Sequence, residues 1–105
     1  IHIVDLAKAH VKAVDKLAND KGSFIYNIGT GRGYSVLEMI KAFGKACGHE
    51  VPYEVGPRRS GDIAEVMADP TKANNELGWK AEHGLEDMVN SAWKWQRMNP
   101  KGYRE

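Results

Sequence analysis

Residues 24–35 read FIYNIGTGRGYS, a short apolar run followed by three alternating glycines and a serine. Phe24–Ile28 is rich in β-branched and aromatic side chains, which predicts a strand. The glycines of Gly29–Gly33 predict a flexible loop. Ser35 has Glu38 three residues further on, the spacing of a capping box, so a helix is expected to begin directly after the loop. This strand, loop and helix indicate an α/β fold.

Four helices are predicted in all, and two of them lie in the first half of the chain. Asp5 is expected to cap the first, which extends to about Ala18. The helix that follows Ser35 ends at Gly48. Its buried face is predicted to consist of five apolar residues: Val36, Leu37, Met39, Ile40 and Phe43.

The second half of the chain follows the same pattern of local signals. Val51–Val55 is a second predicted strand. Asp69-Pro70 is a cap followed by a first-turn proline, and it opens a helix that Gly78 closes. The last helix is predicted from about Leu85 to Met98, with Trp93 and Trp95 expected to pack in the core.

Composition indicates one domain over residues 1–105, because 42% hydrophobic and 28% charged residues are an ordinary globular balance. A net charge of +1, with no basic stripe, disfavours nucleic acid as a partner. No apolar run is long enough for a membrane span, and the chain does not open with a signal peptide. With Cys47 as its single cysteine, the chain is expected in the cytoplasm. Because it opens on an apolar run without Met, we interpret it as a piece of a longer protein.

The glycine run is similar to a dinucleotide-binding fingerprint, but its spacing fails. Tyr34 stands where the third glycine is required, and no acidic residue lies clearly in place about 20 positions on. A phosphate at the helix start stays physically possible. We interpret Gly29–Gly33 as a structural turn, so no cofactor-binding residue is expected in this chain.

The loop Pro57–Asp62 combines an arginine and an aspartate three residues apart. A guanidinium is a planar fork of donors suited to a diphosphate, and a carboxylate accepts the two hydroxyl donors of a ribose. Arg59 and Asp62 could therefore hold a nucleotide. On spacing alone, an exposed turn with an Arg–Asp surface pair is the better interpretation.

No catalytic or metal-binding residues are predicted. The four histidines, at positions 2, 10, 49 and 83, lack the spacing of metal ligands. None of the tyrosines has a lysine four residues later, and Ser35 has a simpler role as a helix cap. No general base is therefore identifiable.

Motifs along nearly the whole chain resemble, in order, the C-terminal third of the UDP-glucose 4-epimerase family, a branch of the extended short-chain dehydrogenase/reductases. They are Ile1–His10, YNIGTGRGYSVLEM at 26–39, PRRSGD at 57–62, ADPTKA at 68–73, LGW at 77–79, WKWQ at 93–96, Asn99-Pro100 and Gly102-Tyr103.

This resemblance implies that the chain is the substrate-binding part of an extended Rossmann-type epimerase, made of helices with a few short strands. In such an enzyme, NAD transiently oxidises the sugar at C4 and so interconverts UDP-glucose and UDP-galactose. The NAD-binding Rossmann domain, the catalytic Tyr-x-x-x-Lys and its Ser/Thr partner would lie upstream of Ile1. The chain alone is then expected to be inactive and to self-associate through exposed apolar surface, and the parent enzyme to be a homodimer.

The resemblance also assigns roles to three residues. It implies that Arg59 contacts the diphosphate, that Asp62 holds the ribose hydroxyls, and that Val66 borders the sugar pocket. A small residue at position 66 predicts that the parent enzyme accepts UDP-N-acetylhexosamines. Two alternatives stay open: a UDP-glucuronate epimerase or decarboxylase of the same family, and a non-enzymatic nucleotide-binding or scaffold module.

Overall fold

The computed structural model describes residues 1–103, whose regular structure is helical. The helices are α1 (Ile3–Asn19), α2 (Val36–Cys47), α3 (Thr71–Leu77) and α4 (Leu85–Met98). Each was predicted, and α4 has the expected ends. Two packed pairs result: α2 lies against α4, and α1 lies against α3.

The two predicted strands are wrong for residues 1–103, where no strand forms. Phe24–Ile28 is extended but is held on α3 by side chains instead of a backbone ladder. The Tyr26 hydroxyl donates to Glu76 Oε2 at 2.7 Å, and Lys72 Nζ donates to the Ile25 carbonyl at 3.1 Å. Val51–Val55 lies largely in solvent. β-Branched composition favours a strand only where a neighbouring strand supplies the hydrogen bonds.

The start of α2 is the predicted capping box. Ser35 Oγ accepts from the Glu38 N–H at 3.1 Å, and Glu38 Oε2 accepts from the Ser35 N–H at 2.7 Å. These bonds to Ser35 also hold the pKa of the Glu38 carboxyl below its ordinary value. Gly48 ends the helix with a φ of 80°, a left-handed conformation that suits glycine.

The predicted buried face of α2 is only partly correct. Met39, Ile40 and Phe43 are half-buried, whereas Val36 and Leu37 are exposed. Within residues 1–103 the helix packs on α4 along one side. Val36 and Leu37, in the first turn, are therefore not part of a buried face.

Helix α3 ends at Gly78 as predicted, but its start differs: Pro70, not Asp69, is the N-cap residue, and Thr71 is the first residue of the helix. Asp69 Oδ1 accepts from the Thr71 N–H at 3.0 Å and from the Thr71 hydroxyl at 2.5 Å. These two bonds lower the pKa of the Asp69 carboxyl. Gly78 terminates the helix in the left-handed region, with a φ of 58°.

Helix α1 departs from prediction at its first turn. His2, not Asp5, is the N-cap residue, and its Nδ1 accepts from the Val4 N–H at 3.1 Å. Asp5 lies inside the helix with 0% exposure. The cap was predicted because an aspartate precedes an apolar run. That local pattern contains no information about a hydrogen-bond partner far along the chain.

The apolar stripe of α1 faces solvent in residues 1–103. Ile3 is 70% exposed and Val14 is 65% exposed, and Leu17 on the same stripe is exposed as well. The opposite side, with Asp5 and Ala9, is the buried one.

The core between α1 and α3 is small and centred on a tryptophan. It consists of Ala9, Ala73, Leu77 and Trp79, with Tyr26, Ile28 and Ala81 packed against it. The expectation that Trp95 packs in the core is wrong, because its ring is exposed beside Tyr103. Trp93 is half-buried, with its ring edge-on to His49.

Gly29 is required by close packing. A Cβ at this position would lie 2.9 Å from the Cβ of Ala68, well inside van der Waals contact. Gly29→Ala should therefore destabilise the fold by about 1–3 kcal/mol in urea unfolding. The matched control is Gly56→Ala, where nothing lies within 4 Å of the added methyl group. Equal stability of the two variants would contradict this packing role.

Candidate functional site

The loop Pro57–Asp62 closes into a turn at the residues predicted to bind a nucleotide. The Asp62 N–H donates to the Arg59 carbonyl at 3.3 Å. In return, the Arg59 N–H donates to Asp62 Oδ2 at 3.2 Å. Gly61 lies between them with a φ of 85°, which a side chain would strain.

The structure brings Arg59 and Asp62 together, and it pairs them with each other. Arg59 Nε lies 3.3 Å from Asp62 Oδ2, and its Nη2 lies 3.2 Å from Oδ1. The Arg59 side chain is 86% exposed. This geometry is the Arg–Asp surface pair weighed above. An exposed pair contributes about 0–1 kcal/mol, so both groups can exchange partners at little cost.

Val66 stands on the extended segment that follows this turn, and it is 75% exposed. Ile63 and Met67 are exposed beside it in the sequence. The segment therefore presents apolar side chains to solvent directly after a charged pair.

The glycine run is packed against neighbouring residues. The Ala68 side chain occupies the space beside Gly29, and a Cβ on Gly31 would lie 3.6 Å from the Pro70 ring. The N-terminus of α2 already holds the Glu38 carboxylate, which would repel an anion there. These observations favour the structural interpretation of Gly29–Gly33.

A cavity of about 400 Å³ lies between α2 and α4. Lys41 and Lys45 stand on the α2 wall, and Glu86 and Asn90 on the α4 wall. Arg59, Asp62 and Val66 do not line it. The cavity is thus a feature of helix packing that is separate from the predicted site.

Residues 1–103 contain no group of three or more His, Cys, Asp or Glu side chains placed to hold a metal ion. Across the same range, every helix is too short or too polar to cross a bilayer.

Sequence reasoning missed a buried polar cluster around Asp5. Its Oδ2 accepts from the N–H groups of Glu82 at 3.1 Å and His83 at 2.9 Å, and its Oδ1 accepts from His83 Nδ1 at 2.8 Å. The Asp5 carbonyl accepts from Trp79 Nε1 at 2.9 Å. The only local signal was the four-residue spacing of Asp5 and Ala9, which places both on one helix face.

These bonds determine the charge state of Asp5. Burial by itself raises the pKa of the carboxyl, because it disfavours the charged form. The hydrogen bonds from His83 and Glu82 outweigh burial, so the pKa of Asp5 lies below its ordinary value of 3.8. Asp5 is therefore a carboxylate at neutral pH and accepts three N–H donors.

Comparison with known proteins decides the family. A family model described as GDP-mannose 4,6 dehydratase matches residues 4–92. The chain belongs to this family.

Individual members of the family give a closer comparison. The UDP-glucose 4-epimerase of Bacillus subtilis is 58% identical over 104 residues, which are 99% of this chain and 31% of that protein. The UDP-glucose 4-epimerase of Drosophila melanogaster is also 58% identical, over 98% of this chain. The resemblance to UDP-glucose 4-epimerases is confirmed, and the chain spans about 31% of the length of the B. subtilis enzyme.

Solved structures confirm the fold class. The chain matches UDP-glucose 4-epimerase from Bifidobacterium longum in complex with NAD+ and UDP, with a TM-score of 0.91 and 58% identity over 98% of this chain and 30% of that one. It also matches the UDP-Glc/GlcNAc 4-epimerase of Campylobacter jejuni, with a TM-score of 0.83 and 35% identity over 93% and 30%. This family member thus has the fold of part of an extended Rossmann-type epimerase.

Replacing the buried carboxylate tests the cluster. Asp5→Asn should lower the free energy of unfolding at pH 7 by about 3 kcal/mol, because an amide nitrogen would face N–H donors. The matched control, Asp15→Asn on the exposed side of α1, should change it by less than about 0.5 kcal/mol.

Comparing the parent with Asp5→Asn also tests the pH dependence of stability. A carboxyl whose pKa falls on folding stabilises the protein above the unfolded value of 3.8. That stabilisation is lost as pH falls through the lower folded value. Urea titrations from pH 7 to 2 should show the difference between parent and Asp5→Asn shrinking below about pH 4. A constant difference over this range would contradict the assignment.

Proposed function

We propose that this chain is the UDP-sugar-binding part of a UDP-glucose 4-epimerase. The observation that carries the proposal is the match, over 98% of the chain at 58% identity, to an epimerase structure that contains NAD+ and UDP. In this proposal, Arg59 binds the diphosphate and Asp62 binds the ribose hydroxyls.

The geometry of the loop supports this assignment. The Arg59 fork is already extended toward a planar anion, the Asp62 carboxylate. A diphosphate presents similar oxygens to the same donors, and a ribose presents two hydroxyl donors to the carboxylate. Because the pair is exposed, the exchange of partners costs about 1 kcal/mol at most.

Anchoring the nucleotide suits the proposed reaction. The whole protein would oxidise the sugar at C4 transiently, with NAD accepting the hydride, and reduce it again on the other face. The sugar must turn between the two steps while the nucleotide stays in place, so the binding energy belongs on UDP. The chain contributes that anchoring and no chemical step.

We assign NAD to a Rossmann domain upstream of Ile1, because the spacing of the glycine run in this chain departs from the dinucleotide fingerprint at Tyr34. The exposed apolar stripe of α1, with Ile3, Val14 and Leu17, supports such an arrangement, since that domain would cover it. We further propose that the whole protein is a cytoplasmic homodimer. On its own, the chain would self-associate through the α1 stripe.

Removing the guanidinium tests the anchor. In the protein that carries this chain, Arg59→Ala should weaken UDP binding by about 10- to 150-fold, the loss expected for a charge-assisted hydrogen bond. Isothermal titration with UDP measures it. The matched control is Arg58→Ala, which removes an exposed arginine next to it.

Arg58→Ala should keep the parent affinity. Equal losses for the two arginines would reduce the effect to general electrostatic attraction. An unchanged affinity in Arg59→Ala would reject the anchor.

The size of residue 66 tests the sugar specificity. We propose that Val66 leaves room for an N-acetyl group, as in an enzyme that accepts UDP-N-acetylhexosamines. Val66→Tyr should then lower kcat/KM for UDP-N-acetylglucosamine by about 10-fold or more while UDP-glucose turnover stays within about 3-fold. The parent protein must convert both substrates, and failure to convert UDP-N-acetylglucosamine would end this proposal.

A further inference from the structure

The N-terminus of α1 is fastened to α4 by a cluster that we call the His2 junction, consisting of His2, Asp5, His83 and Ser91. His2 is buried, and its ring stacks on the His83 ring with centroids 4.5 Å apart and planes 23° apart. Its Nε2 lies 2.9 Å from Ser91 Oγ. The junction thus joins residues 89 positions apart in the chain.

Hydrogen bonding fixes the protonation state of His2. Its Nδ1 accepts from the Val4 N–H, so this nitrogen carries no proton. Ser91 Oγ has a single hydrogen, which the carbonyls of Asp87 and Met88 on α4 share at 2.8 and 3.1 Å. It must therefore accept from His2, which makes His2 the neutral Nε2–H tautomer.

A proton on His2 has no place in this arrangement. It would set an Nδ1–H against the Val4 N–H and would place a positive charge at the N-terminus of α1, where the helix dipole is positive. The charge would also lie 4.5 Å from the His83 ring.

Within residues 1–103, the carboxylates near the junction already have partners. The titratable groups around the junction are Asp5 and Lys8 on α1, Glu82 and His83 before α4, and Asp87 on α4. Asp5 already accepts three N–H donors from Glu82 and His83. Glu82 pairs with Lys8, and Asp87 accepts from the Gly84 N–H at 3.2 Å.

We propose that the His2 junction is acid-sensitive: protonation of His2 releases its ring from Ser91 and from the Val4 N–H, while Asp5 keeps its bonds to Glu82 and His83. Histidine is the side chain that ordinarily changes charge between about pH 5 and 8, and this range is the one to test. Opening breaks the capping bond from the Val4 N–H to His2 and the bond between His2 and Ser91. The remainder of α1 stays packed on α3.

The variant His2→Asn separates the capping role of residue 2 from its ability to take up a proton. Asparagine is a good N-cap and cannot be protonated in this range, so His2→Asn keeps the acceptor for Val4. Between pH 7.5 and 5.5, the Tm of the parent should fall by about 5 °C or more, which is the shift expected when a domain of this size loses one helix cap. The Tm of His2→Asn should fall by less than half as much. The matched control is His10→Asn, an exposed histidine on α1, which should fall like the parent.

Two results would overturn the proposal: an equal fall in His2→Asn and the parent, or no fall in the parent. If His2→Asn does not fold, NMR of the parent decides. Exchange of the Val4 amide should accelerate in step with titration of the His2 ring. A Val4 amide that stays protected after His2 is protonated would overturn the proposal.

Discussion

The carboxylate of Asp5 is the constraint on which the arrangement of the helices depends. A charge with 0% exposure is stable only if donors surround it, and the donors here come from Glu82 and His83, nearly 80 residues along the chain. Once they are in place, α1 is held against the segment between α3 and α4. The Trp79 indole then bonds to the carbonyl of the same residue and completes the core beside Ala9 and Ala73. The buried side of α1 is therefore chosen by its polar residue, and the apolar stripe faces outward as a consequence.

Helix ends could be predicted because their chemistry is local. Ser35 with Glu38 and the glycines at 48 and 78 each act within four residues, and these ends were correct, whereas α3 begins one residue later than Asp69-Pro70 predicts. Features that depend on distant partners could not be predicted. The strand at Phe24–Ile28 requires a neighbour that residues 1–103 do not supply, and the role of Asp5 requires His83. Apolar spacing in α1 likewise shows that an apolar face exists and not what covers it.

The contact between Arg59 and Asp62 could be predicted from their spacing, and their role in binding a nucleotide stays a prediction. Sequence spacing offered two interpretations for Arg59 and Asp62, a nucleotide grip and a surface pair, and the geometry is compatible with both. The two interpretations use the same donors and acceptors, and differ only in whether a ligand competes for them. Similarity to epimerases over nearly the whole chain gives the grip its weight, because an arginine and an aspartate at this spacing are common on any protein surface.

The long segment between α2 and α3 has a consequence for the covalent chain itself. Residues 49–70 contain no helix or strand, and most of their side chains are exposed, so a protease would find its preferred substrate there. A cut in this segment would leave α1 and α2 on one piece and α3 and α4 on the other. Each piece packs on the other twice, α1 on α3 and α2 on α4. After such a cut, the two pieces would stay associated through these two helix contacts. The fold therefore depends more on the two helix contacts than on an unbroken backbone between α2 and α3.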